Sequence, residues 1–163
     1  MNPVLLAARE ALENVTPLKT DCGRCCGAAC CRSAEGEETG MMLFPGEEDL
    51  YEELDGYEMK ALPRGTLLVC GGKCARQDRP LACRIFPLVP VITENGVRAV
   101  TDLRAKGVCP LAQQGKNALD PTFVETVRRI GETLAGDPEQ RAFLEELTEE
   151  QRELKRLKNM LGG

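Results

Sequence analysis

Nine cysteines and no histidine are the feature that most limits what this 163-residue chain can fold into. Histidine is the usual general base, proton shuttle and nitrogen ligand of proteins, so its absence excludes histidine-based catalysis. An odd number of thiols cannot all be paired in disulfides, and disulfides are rare in reducing compartments. The composition therefore favours metal ligation by cysteine thiolates.

The cysteines form one dense block and four later positions. Five lie within the ten residues 22–31, where Gly23 and Gly27 permit a tight turn that lets a C-x2-C pair grip one ion. Neighbouring side chains of an extended doublet point to opposite sides, so the two doublets are expected to serve two centres. We interpret all nine as metal ligands: Cys22, Cys25, Cys26, Cys30, Cys31, Cys70, Cys74, Cys83 and Cys109.

Cysteine also serves as a small buried hydrophobic residue, and this alternative stays open for Cys70 and Cys109 taken alone. It does not suit five cysteines in ten residues beside glycines and charged residues. Pro110 follows Cys109, as proline follows the last cysteine ligand of ferredoxin-type clusters. The sequence therefore favours a ligand role for Cys109.

The length and the element signals predict one α+β domain spanning 1–163, with a cysteine-cluster core over 20–112 and helices at both termini. We expect thiolate-bound metal to organise the middle of the chain. Helices are predicted over 2–15, with Asn2 as N-cap, and within Pro45–Leu54. A strand is predicted over Thr66–Val69, and an edge hairpin over Val89–Val100 closed by Asn95-Gly96.

A C-terminal helical hairpin is predicted over 120–161. Its two helices, Pro121–Ala135 and Pro138 to about Leu161, each begin with an aspartate N-cap followed by proline. Leucines of the second helix recur at heptad-like spacing, although Gln151 and Lys158 interrupt the pattern. The expected role is packing on its own domain, with homodimerisation through this helix as the alternative.

The net charge of −5 and the pI near 5.0 argue against a nucleic-acid or anionic-membrane partner, which would need a cationic face. Segment 35–58 contains ten acidic residues and no lysine or arginine, whereas 64–84 is rich in arginine. We expect these segments to be solvated faces that attract one another. A partner-binding role for them is the alternative.

The N-terminal apolar run Val4–Ala8 is too short for a signal peptide, and no stretch reaches the length of a membrane span. These observations predict a cytoplasmic protein without membrane contact.

Three segments resemble the YkgJ-type bacterial cysteine-cluster family, which is described as zinc- or iron-chelating. They are the block Cys22–Cys31, Cys74 with the run Arg79–Leu88, which is similar to the family signature RPxxCRxFP, and the late Cys109. The resemblance covers about residues 20–112 and implies a chelating function. The block differs from the usual spacing through four residues between Cys25 and the second doublet and an additional thiol, Cys26.

The choice between iron and zinc decides the functional class. Three features favour iron–sulfur clusters, of the 4Fe–4S type, over a zinc site. They are the absence of histidine, the Cys109-Pro110 pair and the number of thiols. Arg79 and Arg84 are candidate cofactor-binding residues, since their charge would offset that of thiolates. Pairing of both with the acids of 35–58 is the alternative.

The leading hypothesis is an iron–sulfur protein with a redox, electron-transfer or accessory role and a protein or redox partner. A zinc-stabilised binding module is the second hypothesis. A methyltransferase-like enzyme is the third, because some members of the resembling family are described as flagellin lysine N-methylases. The sequence contains no glycine-rich nucleotide-binding loop after a strand, so it lacks a motif that would support this third hypothesis.

Overall fold

The computed structural model describes residues 1–32, 38, 40–72 and 74–162, and its fold is α+β, as predicted. None of the described helices is long and apolar enough to cross a lipid bilayer. The helices are α1 (Pro3–Ala11), α2 (Cys22–Cys26), α3 (Leu81–Ile85), α4 (Pro110–Gln114), α5 (Pro121–Ala135) and α6 (Pro138–Met160). The strands are β1 (Gly40–Met42), β2 (Tyr57–Leu62), β3 (Gly65–Cys70), β4 (Leu88–Thr93) and β5 (Gly96–Thr101). Short 3-10 turns cover Ala29–Cys31, Glu48–Leu50, Arg76–Asp78, Leu103–Gly107 and Lys116–Ala118.

The main hydrophobic core lies between the β4–β5 hairpin and helices α1, α3, α5 and α6. Helix α5 packs so closely on the hairpin that a Cβ atom on Gly131 would lie 2.6 Å from Val97 and 2.7 Å from Pro90. The hairpin prediction is confirmed, but Glu94 and Asn95 form its turn. Gly96 instead is the first residue of β5. Its φ of +103° is a value that glycine adopts without strain.

The signals at the chain ends predicted the terminal helices well. Asn2 caps α1 by accepting a hydrogen bond from the Val4 N–H at 2.8 Å, and the bounds of α5 and the start of α6 are as predicted. Helix α1 ends at Ala11 rather than 15, and Leu12 is its C-cap, with its N–H directed to the Arg9 and Glu10 carbonyls. On α6 the buried Leu144 and Leu147 join the main core, while Leu161 is 88% exposed.

The order β1-β3-β2 defines a second, fully antiparallel sheet. The predicted strand at 66–69 is its central strand β3, whereas the sequence analysis missed β1 and β2. The predicted helix over Pro45–Leu54 is wrong, because only the 3-10 turn Glu48–Leu50 forms there. Gly46 adopts φ +89°, which no right-handed helix allows.

The expected attraction between the acidic and basic segments does not take the form of ion pairs. Among the described residues, no arginine of 64–84 forms an ion pair with an acid of 38–58, and Glu35, Glu37 and Lys73 lie outside the described residues. The acids pair with other cations, such as Lys60 with Glu58 at 3.9 Å. The two segments therefore do not bind each other through salt bridges in the described part of the chain.

A buried carboxylate joins α1, α3 and the segment that follows β1. Glu47 is fully buried and its Oε1 accepts hydrogen bonds from Arg9 Nη1 at 2.7 Å and from the Leu81 N–H at 2.8 Å. Its Oε2 accepts from the Phe44 N–H at 3.1 Å. Burial raises the pKa of Glu47, although these donors oppose the shift. Because Leu81 is the first residue of α3, its hydrogen bond to Glu47 also fixes the helix that carries Cys83.

We predict that Glu47→Ala lowers the free energy of unfolding by about 3–5 kcal/mol, because it leaves the buried guanidinium of Arg9 without its carboxylate partner. Urea denaturation measures this. The control is Glu132→Ala, which removes an exposed partner of Arg128 and should cost about 0–1 kcal/mol. The double variant Arg9→Met with Glu47→Met should be more stable than Glu47→Ala, and equal losses for Glu47→Ala and Glu132→Ala would contradict the prediction.

Candidate metal centre

The cysteines surround one cavity of about 310 Å³. All nine line it, although they come from five separate places in the fold. The segment 22–31 supplies five of them, and the other four are Cys70 at the end of β3, Cys74 in the following loop, Cys83 on α3 and Cys109 before α4. The structure thus brings together every cysteine that the sequence analysis proposed as a ligand.

Two short helical pieces shape the dense cysteine block. The Asp21 side chain accepts a hydrogen bond from the Gly23 N–H at 3.2 Å and caps α2. Gly27 and Ala28 both adopt left-handed backbone, at φ +62° and +54°, and reverse the chain into the 3-10 turn. Gly27 therefore makes the tight turn expected of it.

The cysteine doublets are helical, so the expectation that extended backbone directs neighbouring thiols to opposite sides is wrong. Cys25-Cys26 lies in α2 and Cys30-Cys31 in the 3-10 turn. Successive helical residues are separated by about 100° around the axis, not 180°. Both members of each doublet can therefore line the same cavity.

The later cysteines are fixed by backbone contacts. The Cys109 N–H donates to the Ala105 carbonyl at 2.8 Å, and Cys109 is 8% exposed in a small core with Ala105 and Ala112. A Cβ atom on Gly72 would lie 3.0 Å from the carbonyl oxygen of Cys31, so this glycine permits the 70–74 loop to approach the dense block. The walls of the cavity thus contact each other directly.

The environments of the thiols differ. Cys30 Sγ lies 3.9 Å from Cys31 Sγ, and this hydrogen bond lowers the pKa of Cys31 to about 6. The same interaction, together with burial, raises the pKa of Cys30. Burial is the main cause that raises the pKa of Cys22, Cys74 and Cys83. Cys31 is therefore the thiol that ionises most readily among these five.

The two arginines proposed as cofactor-binding residues both line the cavity but differ in their contacts. Arg84 donates to backbone carbonyls of Arg9 at 3.1 Å, Gln77 at 2.8 Å and Arg79 at 3.0 Å, so it joins α1 to the 76–79 turn. Burial alone would lower the pKa of Arg79, but the interaction of its guanidinium with Cys74 outweighs burial, and the pKa of Arg79 is raised. Within the described residues the Arg79 guanidinium donates no hydrogen bond to an oxygen atom.

Sequence reasoning missed the buried polar residues that hold α3 and the 76–79 turn, two of the elements that line the cavity. Tyr51 donates its hydroxyl hydrogen bond to the Asp78 carbonyl at 2.8 Å, beside the ion pair of Arg9 and Glu47. Arg9 follows Ala8 on the buried side of α1, four residues after Leu5. A cation on an apolar helix face requires a buried partner, so the helical periodicity contained a signal for this pair.

The donor set suits thiolate-ligated metal. Among residues 1–32, 38, 40–72 and 74–162, no three cysteine or carboxylate side chains already converge on one point closely enough to hold an ion. The thiols instead surround a cavity of about 310 Å³, which is far more space than one ion needs. In number and kind of donors the cavity fits a thiolate-bound group larger than a single ion.

Comparison with known proteins gives no match. No protein-family model fits the chain, and no curated protein or solved structure was found to be similar to it. The functional assignment therefore depends on the residues around the cavity and on the chemistry of their side chains.

We predict that, in reduced protein treated with chelator, iodoacetamide modifies Cys31 faster than Cys74 at pH 7. Both are partly buried, but the lowered pKa of Cys31 makes it a thiolate above about pH 6, whereas the pKa of Cys74 is raised. Peptide mass spectrometry at a series of times measures both rates. Cys30→Ala removes the donor and should slow the reaction of Cys31, and an unchanged rate in that variant would contradict the assignment.

Proposed function

We propose that this protein binds iron–sulfur clusters through the cysteines of the cavity and has a redox, electron-transfer or cluster-dependent accessory role. The observation that carries the proposal is the gathering of all nine thiols around one cavity of about 310 Å³. Ordinary packing cysteines would be scattered through the cores, but of the nine only Cys109 belongs to a buried core cluster.

The chemistry of the cavity supports iron–sulfur ligation in two further ways. Such clusters are held by four cysteine thiolates each, so eight of the nine thiols would suffice for two centres. Arg79 lies beside Cys74 and would offset the negative charge of the thiolates, as proposed from the sequence. Arg84 also lines the cavity, and its bonds to carbonyls hold the 76–79 turn that positions Arg79.

The resemblance to the YkgJ-type family supports chelation as well. The three resembling parts are the block Cys22–Cys31, the run Arg79–Leu88 and Cys109, and each contributes residues to the cavity wall. Residues distant in sequence are thus adjacent at one place, which is the arrangement that a shared ligand requires. The proposal further places the protein in the cytoplasm, where nine free cysteines remain reduced, with a redox protein as its partner.

A zinc-stabilised binding module is the second candidate. The observation that favours it is the 3.9 Å between Cys30 Sγ and Cys31 Sγ. Thiolates about 2.3 Å from a tetrahedral zinc ion lie roughly 3.8 Å from one another. This pair therefore has the spacing of two ligands on one zinc ion.

Metal analysis decides between the candidates. We predict that protein purified without oxygen is brown, absorbs broadly in the visible range and contains iron and acid-labile sulfide, because thiolate-ligated clusters contain both. Inductively coupled plasma mass spectrometry and a sulfide assay measure them. A colourless preparation saturated with zinc would contradict iron–sulfur ligation and support the binding module.

Single cysteine variants test how the thiols are used. We predict that Cys26→Ser retains more metal than Cys22→Ser, Cys31→Ser or Cys83→Ser, because the Cys26 thiol already donates to the Cys22 carbonyl within α2 at 3.7 Å. It is also the thiol that departs from the family spacing. Metal content per folded monomer, with circular dichroism as the control for folding, gives the order of loss. One zinc ion per monomer that persists in Cys83→Ser would contradict a double or polynuclear site.

A further inference from the structure

The thiols around the cavity differ in their access to solvent. Cys25 and Cys30 are exposed although they line the cavity, so they lie at its mouth. Cys109 is 8% exposed, and the remaining six cysteines are partly buried. The cavity therefore has two thiols that an outside molecule can reach without any movement of the chain.

The mouth and the inner wall also differ in how firmly the chain holds them. Cys25 and Cys30 belong to two short helical pieces joined by the left-handed residues Gly27 and Ala28. Cys83 lies on α3, whose first N–H is bound by the buried Glu47. Cys109 is bound through its N–H to Ala105 in a hydrophobic cluster.

We propose that the cavity holds two unequal centres. This inference rests on the proposed function. Cys83 and Cys109 contribute to an inner, retained centre. Cys25 and Cys30 contribute to an outer centre at which a thiophilic divalent metal ion is exchanged with an external thiol donor. The outer centre thereby gives the protein a metal-transfer function besides a resident cofactor.

The exchange is a ligand substitution without oxidation or reduction. An external thiol loses its proton and its sulfur forms a bond to the ion, while the bond to Cys25 breaks and its electron pair stays on the Cys25 sulfur. Cys25 then takes up a proton, so charge and protons balance. Ligand substitution needs an open path to the ion, and the exposure of Cys25 and Cys30 leaves such a path from solvent. Cys31, 3.9 Å from Cys30, remains as a neighbouring donor during the substitution.

Zinc release kinetics test the proposal, with Zn²⁺ as the probe because it takes the same thiolate donors as iron. Reduced full-length protein is loaded with Zn²⁺ without oxygen and mixed with the coloured chelator 4-(2-pyridylazo)resorcinol. We expect a fast and a slow phase from the wild type. The double variant Cys25→Ser with Cys30→Ser should lose the fast phase and its zinc, and keep the slow phase at the wild-type rate.

Two further variants serve as matched controls. Cys26→Ser changes the thiol next to Cys25 in α2 and should keep both phases. Cys83→Ser with Cys109→Ser should lose the slow phase. If that variant does not fold, the result for the Cys25 and Cys30 variant still decides the question. Circular dichroism checks that each variant is folded.

Release in a single phase, a fast phase that persists without Cys25 and Cys30, or a slow phase that disappears with them would overturn the proposal. So would a wild type that takes up no Zn²⁺. These outcomes are separate from the test of the proposed function: a brown, iron-containing protein without zinc exchange supports only the iron–sulfur assignment. Two-phase zinc release from a protein that never contains iron supports only the exchange site.

Discussion

The buried carboxylate of Glu47 is the interaction on which the cavity depends. It binds the guanidinium of Arg9 on α1 and the first N–H of α3 at the same oxygen, with distances of 2.7 and 2.8 Å. Its other oxygen binds the Phe44 N–H after β1. A charge in this position costs free energy unless every donor is present. The pair thus selects one arrangement of α1, α3 and the first sheet, and α3 carries Cys83 to the cavity wall.

The hydrophobic core and the cysteine block hold the chain in different ways. The terminal helices and the β4–β5 hairpin bury the large apolar residues, including Phe44, Phe123 and Leu134. By contrast, α2 and the 3-10 turn after it contain no buried residue. Because apolar burial is the main driving force of folding, the scaffold gains most of the stabilisation from packing and the cysteine block gains little of it. The proposed metal ligation would supply stabilisation in the part of the chain where apolar burial is missing.

Local signals in the sequence predicted the elements whose ends are marked by caps and turns, such as α5, α6 and the β4–β5 hairpin. These signals failed for 45–54. There the tertiary contacts that bury Glu47 outweigh the local preference of an acidic segment for helix. Spacing also identified the cysteines as a group, and the resemblance named the same segments. It could not show that Cys70 and Cys109 line the same cavity as the dense block, since their positions depend on how the first sheet and α4 pack.

The protonation of the thiols connects the scaffold to the chemistry. Burial raises the pKa of Cys22, Cys74 and Cys83, so these thiols remain protonated near neutral pH unless a cation compensates their charge. Arg79 provides one compensating charge, while the Arg84 guanidinium is bound to carbonyls. One arginine cannot balance nine thiolates, so full ionisation would require further cations. Metal ligation in this cavity, as proposed, would therefore be coupled to proton release, and its strength would increase with pH.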